Sequence, residues 1–240
     1  MLKKLLPVLC CLLPFSAVKA QRSKAVTFYK AGMNYKQNNN FTEALNSFAK
    51  AVLSDTKFDS AYVEMGNLFS SGGKIDNGIY NYHKALEINP NYTAALFGMG
   101  KIYRDAKPNY DSAIFCFKAA AAVDSTNKEF FYSIAWCYNA KAEYENAIPP
   151  AIKALEIDNT YRPAYGELGH AYRRTKKFAE AIEQFKKNLS VSVVDLAYFY
   201  SGMCYTELKD KEGAMKQYEE LKKINERMAS SLLKTIEKMQ

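Results

Sequence analysis

Apolar and small residues recur three and four positions apart along most of the chain, as in Phe28, Ala31, Gly32 and Tyr35. That spacing lines one face of a helix. Short polar runs such as Asn38-Asn39-Asn40 break the pattern after about a dozen residues, at the length of an ordinary globular helix. The expected elements are therefore many short helices joined by tight turns. Gly and Pro, at 11 and 7 of 240 residues, are too scarce for the turns of a β-sandwich. The fold class read from the pattern is all-α.

The helical pattern repeats. A small residue followed three later by an aromatic occurs at Gly32/Tyr35, Gly66/Phe69, Gly100/Tyr103, Ala135/Tyr138, Gly169/Tyr172 and Gly202/Tyr205. The small residues are 34, 34, 35, 34 and 33 positions apart. A second small residue follows about twelve later, at Ala44, Gly78, Ala113, Ala147, Ala181 and Ala214. Four beyond it stands an aromatic, Phe48, Tyr82, Phe117, Phe185 or Tyr218, except in the fourth unit, which has Ala151. Each unit reads as two helices, A and B. The small residue on A lets B approach closely, and the aromatic fills the wedge.

These residues resemble the tetratricopeptide repeat (TPR) family, whose pattern is W-x2-L-G-x2-Y, then A-x3-F, then P. Tyr165-x2-Leu168-Gly169-x2-Tyr172 is the best local match, and Tyr62-x2-Met65-Gly66-x2-Phe69 and Leu96-x2-Met99-Gly100-x2-Tyr103 follow it. The repeats are set at 25–58, 59–92, 93–127, 128–161, 162–194 and 195–228. The resemblance implies a right-handed α-solenoid of six TPR helix pairs, in a single domain over 21–240. A C-terminal capping helix at about 224–239 is expected from the spacing of Leu221, Ile224, Met228 and Leu232.

Two places depart from the pattern. Repeat three holds one extra residue around Lys107-Pro108-Asn109-Tyr110, expected to lengthen a turn. Pro149-Pro150 falls inside helix B of repeat four, where proline removes donors and clashes with the preceding turn. A kink, or a helix that starts late near residue 149, is the expectation there.

The first twenty residues read differently. Lys3-Lys4, an apolar stretch from Leu5 to Phe15 and Val18-Lys19-Ala20 before Gln21 have the layout of a secretory signal peptide. Export is expected, with the periplasm ahead of full secretion. The residues before Cys10 and Cys11 lack the small pair of a bacterial lipoprotein signal. Removing residues 1–20 leaves 30 basic against 25 acidic side chains, a mild excess that gives no strong sign of nucleic-acid binding. Cys116, Cys137 and Cys204 are too few and too far apart for a disulfide framework. No later stretch is long and apolar enough for a transmembrane segment.

Candidate chemistry is sparse. His83 and His170 are the two histidines, in different repeats. No HExxH helix, GxSxG elbow or CxxC pair occurs, and Gly72-Gly73-Lys74 lacks the strand a phosphate loop needs. No catalytic residue, metal or cofactor is expected. In proteins resembling this one, repeat positions 2, 5, 9, 12 and 13 of the A helices line a concave groove. Those positions include Tyr29, Met33, Lys36, Asn67, Phe97, Lys101, Arg104, Tyr132, Trp136, Asn139, His170, Arg173, Arg174, Phe199 and Met203. The expected binding residues are Tyr29, Phe97, Lys101, Arg104, Tyr132, Trp136, His170, Arg173 and Arg174. Trp, Tyr and Arg are the commonest hot spots, and the basic flank favours a protein or peptide partner with acidic and apolar side chains. The Lys/Asn pairing of a carboxylate clamp does not match. A scaffold or adaptor in the cell envelope is the first reading. A structural subunit of a larger envelope or secretion assembly is the second, and self-association through repeat ends stays open.

Overall fold

The computed structural model describes residues 15–189 and 195–239. Residues 1–14 of the expected signal segment, and the expected repeat boundary at 194, lie outside them. The described residues are all helical or turn, in agreement with the all-α expectation. They divide into two compact units, which part between Pro90 and Asn91, close to the boundary between repeats two and three.

The first unit holds α1 (Phe15–Gln37), α2 (Phe41–Ser54), α3 (Asp59–Ser71) and α4 (Ile75–Ile88). The second holds α5 (Thr93–Lys101) with a π-helical turn (Ile102–Ala106), α6 (Tyr110–Val123), α7 (Lys128–Ala140), α8 (Tyr144–Ile157), α9 (Arg162–Arg174), α10 (Phe178–Leu189), α11 (Asp195–Glu207), α12 (Lys211–Lys222) and α13 (Glu226–Ile236). Consecutive helices pack in A/B pairs, and in the second unit α7 also touches α9, and α9 touches α11. In α1 the side chains from Lys19 to Lys24 are exposed, and burial begins at Ala25.

The A/B seam follows the sequence pattern. A Cβ added to Gly32 would lie 2.6 Å from the Phe48 ring, one on Gly66 2.7 Å from Tyr82, and one on Gly169 2.6 Å from Phe185. Glycine is required because the ring of helix B occupies the space of a methyl group. Phe48, Tyr82, Phe117 and Phe185 are accordingly buried. Repeat four solves the seam with two small residues, Ala135 and Ala151, packed with Leu168. Repeat six differs from expectation. A Cβ added to Gly202 would lie 2.5 Å from Leu232 of α13, and Tyr218 is only half-buried.

The turn from A to B has a common chemistry. The carbonyl of the recurrent aromatic accepts from the N–H five residues on: Tyr35 from Asn40, Phe69 from Lys74, Tyr138 from Glu143, Tyr172 from Lys177 and Tyr205 from Asp210, at 2.8–3.0 Å. This closure needs a residue with positive φ, as at a helix C-terminus. Asn39, Gly73, Ala142, Lys176 and Lys209 supply it. The phosphate-loop lookalike at Gly72-Gly73 is this turn.

Repeat three absorbs its extra residue differently from the expected longer turn. Lys107 N–H donates to the Ile102 carbonyl at 2.9 Å, the i to i−5 bond of a π turn. Tyr103 still accepts, but from Asn109, six residues on, at 2.8 Å. The insertion is thus wound into the end of helix A, and Asn109 then caps α6 by accepting from Ser112 N–H at 3.0 Å.

Helix α8 does not start late. It runs from Tyr144 to Ile157 with Pro149 and Pro150 inside it. Buried Ala147, Ala151 and Ala154 hold one face of this helix in the core, so packing outweighs the lost backbone bonds. The capping helix is α13, shorter than expected. Asn225 starts it by accepting from Met228 N–H, and Ala229, Leu232 and Ile236 are its buried face.

Candidate functional site

The expected groove residues belong to both units. Tyr29 is in the first, half-buried between Phe48 and Phe58 with ring centroids 5.6 and 5.3 Å away. Phe97 occupies the same place in repeat three, 5.5 Å from Phe117 and 5.1 Å from Phe130. Both rings take part in the packing of successive repeats, a role the sequence reading had not given them. Lys101 is exposed one turn later, its ammonium 5.8 Å from the Phe97 ring.

The other six groove residues form two clusters in the second unit. In the first, the Arg104 guanidinium sits 5.5 Å from the Trp136 ring centroid. It pairs bidentately with Asp105 at 2.6 and 2.8 Å and donates to Ser133 Oγ at 3.3 Å. Arg104 lies in the π turn, so the extra residue of repeat three sets its direction. Trp136 packs edge-on against Tyr110 at 5.9 Å, back towards repeat three. Tyr132, one turn earlier, meets Tyr161 at 5.6 Å, and burial first, then Glu167, pushes its phenol up to about 12.

The second cluster centres on His170. Its ring lies 5.9 Å from Tyr144 and 6.1 Å from Tyr200. Arg173 stacks over Tyr200 at 4.5 Å, and Arg174 over Tyr144 at 4.7 Å. Burial, with the charges of Arg173 and Arg174, lowers the His170 pKa to about 4, so the ring is neutral near pH 7. A recess of about 250 Å³ opens beside it, lined by Arg173, Arg174, Lys176, Phe178, Met203 and Glu207. Three cations face one acid there. Asn139 and Glu167 lie between the clusters. Asn139 donates to the Glu167 carboxylate at 2.7 Å, while its own Oδ1 is buried without a partner.

Sequence reasoning missed Tyr144, Tyr161, Tyr200 and Glu167. Tyr161 caps α9 and Tyr144 opens α8, outside the A-helix positions considered. Glu167 recurs at repeat position six as Glu64, which was the available signal for it, whereas Tyr200 at the same position recurs in no other repeat. Among the described residues, no group of His, Cys, Asp or Glu could hold a metal ion. Burial pushes the thiols up, Cys116 to about 11 and Cys137 and Cys204 to about 12, which makes them poor nucleophiles.

Family comparison agrees with this geometry. Models described as tetratricopeptide or TPR repeats match residues 25–58, 66–105, 163–192 and 196–225. The chain is a tetratricopeptide-repeat protein. Anaphase-promoting complex subunit 6 of Arabidopsis thaliana is 26% identical over 200 residues, 81% of this chain and 36% of that protein. Photosystem I assembly protein Ycf3 of Acaryochloris marina is 35% identical over 86 residues, 34% of this chain and 52% of that one. The TPR chain thus spans between about a third and a half of these relatives. Among solved structures, YrrB, described as a TPR protein with an unusual peptide-binding site, superposes with a TM-score of 0.72. It is 23% identical, over 78% of this chain and 97% of that one. The TPR architecture is that of a protein-interaction scaffold.

Proposed function

We propose that this TPR protein is a non-catalytic adaptor of the cell envelope, whose second unit takes a peptide with acidic and apolar side chains. The cationic recess beside His170 carries the reading. Arg173, Arg174 and Lys176 form no ion pair with a carboxylate among the described residues. The two guanidiniums sit over tyrosine rings, at 4.5 and 4.7 Å from the ring centroids, which restrains them and reduces the entropy lost on binding. Met203 and Phe178 beside them supply apolar surface. Trp136, Lys101 and Arg104 extend the same chemistry to repeats three and four, Phe97 shapes the helix that carries Lys101, and Tyr29 has the corresponding place in the first unit. Arg104 contributes less charge because Asp105 already engages it. YrrB supports a peptide ligand by its description, but at its identity the likeness shows the fold alone. The envelope location rests on the signal-like first twenty residues, and no described helix is long and apolar enough to cross a membrane.

The test is cross-linking in the native envelope, mass spectrometry to find the partner, then calorimetry with its contacting peptide. Trp136→Ala weakens binding by about 2 kcal/mol or more if the ring is a hot spot. Arg173→Gln with Arg174→Gln reduces both affinity and its salt dependence. Unchanged affinity in both variants, with the helical spectrum intact, removes the groove assignment.

A further inference from the structure

A second recess, of about 540 Å³, lies between α6 and α8 in the second unit. Its floor includes Phe131, Ile134 and Tyr138 of α7. By helical spacing these face away from Tyr132 and Trp136, so the recess is separate from the groove.

The sequence explains why there is space. Ala121 stands where repeats one, two, four and five carry Val52, Leu86, Leu155 and Leu189, and repeat six carries Lys222. Pro150 stands where they carry Ser47, Asn81, Cys116, Gln184 and Gln217, all buried. A truncated side chain on one wall and a rigid ring on the other leave the cleft unfilled. The prolines also change its polarity. Pro149 and Pro150 have no N–H, so the helix supplies no i+4 donor to the Glu145 and Asn146 carbonyls. In repeat two, Asn81 at the position of Pro150 donates to its own i−4 carbonyl, Asn77, at 2.8 Å.

The rim adds charge of one sign. Lys118 and Lys153 line the recess, and no acid does. Lys118 donates to the Tyr138 hydroxyl at 2.8 Å. Lys153 pairs with Glu156 along an exposed helix face, a contact worth little and easily exchanged. Phe115, 73% exposed one turn before Lys118, and exposed Ile152 three residues after Pro149 extend the apolar surface.

We propose that this cleft docks a segment of a partner protein. The segment inserts one bulky apolar side chain between α6 and α8. It donates a main-chain N–H to the Asn146 carbonyl and sets a carboxylate against Lys118 and Lys153. The three features coincide at one place, and none of them is needed to stack the repeats.

A phage-displayed random peptide library, depleted on Ala121→Leu and then panned on the unaltered full chain, tests this. Leu at 121 restores the residue of neighbouring repeats and fills the cleft. The expected peptides carry a bulky apolar residue flanked by Asp or Glu. Their affinity falls at least tenfold in Ala121→Leu and in Pro149→Ala/Pro150→Ala, and is unchanged in Trp136→Ala. The surface variant Lys118→Glu/Lys153→Glu, which alters no buried position, loses the same peptides whether or not Ala121→Leu folds well. Failure to enrich any peptide overturns the proposal, as does undiminished binding to the lysine variant.

Discussion

The small residue and the ring opposite it change together between the seams of repeats five and four. A Cβ at Gly169 would meet Phe185 at 2.6 Å, whereas repeat four already carries Ala135 and has no ring opposite it. Gly169→Ala should therefore cost about 1–3 kcal/mol by overpacking, read as a lower urea midpoint at unchanged slope. The same logic predicts coupling in repeat four. Ala151→Phe alone is destabilising, and Ala135→Gly in the same chain recovers part of the loss, because the two sites are in contact. This level of detail was legible in the sequence, since the small and ring-bearing residues recur in phase. Tyr218 was not. The residue that meets Gly202 arrives from α13, and no pattern within repeat six could reveal that Leu232 would take the space. The aromatic clamps around His170 were half legible. Arg173 and Arg174 fall at groove positions, but Tyr144 and Tyr200 reach them from elsewhere. His170 also predicts a pH effect. Its pKa is about 4 folded against an ordinary 6.5, so between these values the unfolded chain binds the extra proton. Stability rises with pH through that window and is lost as pH falls from about 6.5 towards about 4. Denaturant titrations of His170→Phe across this range should show a flatter profile than the unaltered chain.

At the scale of elements, the A-to-B turn decides where each helix ends. Its left-handed residue is glycine in repeat two and asparagine in repeat one, both tolerant of positive φ. Ala142, at φ 61°, has no such tolerance. Replacing it with glycine removes a penalty of roughly 1–2 kcal/mol, partly offset by the greater freedom of glycine in the unfolded chain. The expected net outcome is a small rise in thermal midpoint, measurable by calorimetry, where the same change at a helix interior would lower it. The turns were visible as polar interruptions, but their handedness was not, because Ala, Lys and Asn share no sequence signature. The extra residue of repeat three was visible as a step of 35. Its destination was not. A loop and a π turn accommodate the same count, and the choice lies with the Tyr103 carbonyl, which keeps its role by accepting from Asn109. Local propensity at Pro149-Pro150 favours a kink or a late helix start; the late start does not occur, because the buried alanine face of α8 holds the helix from Tyr144 onwards.

At the scale of each unit, a repeat covers its neighbour's apolar face, and in the second unit the last repeat is covered by α13. Leu232, fully buried, packs with Leu221, Ala214 and Ile236, and its side chain occupies the space beside Gly202. An array held by neighbour contacts does not spread damage evenly, because each interface couples only adjoining repeats. Leu232→Ala should cost about 2–5 kcal/mol at this site, and the cost should appear first at the C-terminal end. Hydrogen exchange should accelerate in α11, α12 and α13, while amides of α7 and α8 keep their protection. Asn225 sharpens the expectation. It caps α13 and also donates to Asp195, the first residue of α11, at 2.8 Å, so fraying of α13 frees the start of α11. Uniform acceleration across the second unit would mean that its helices unfold as one cooperative block, and that the cap is part of a shared core rather than a cover on the final pair.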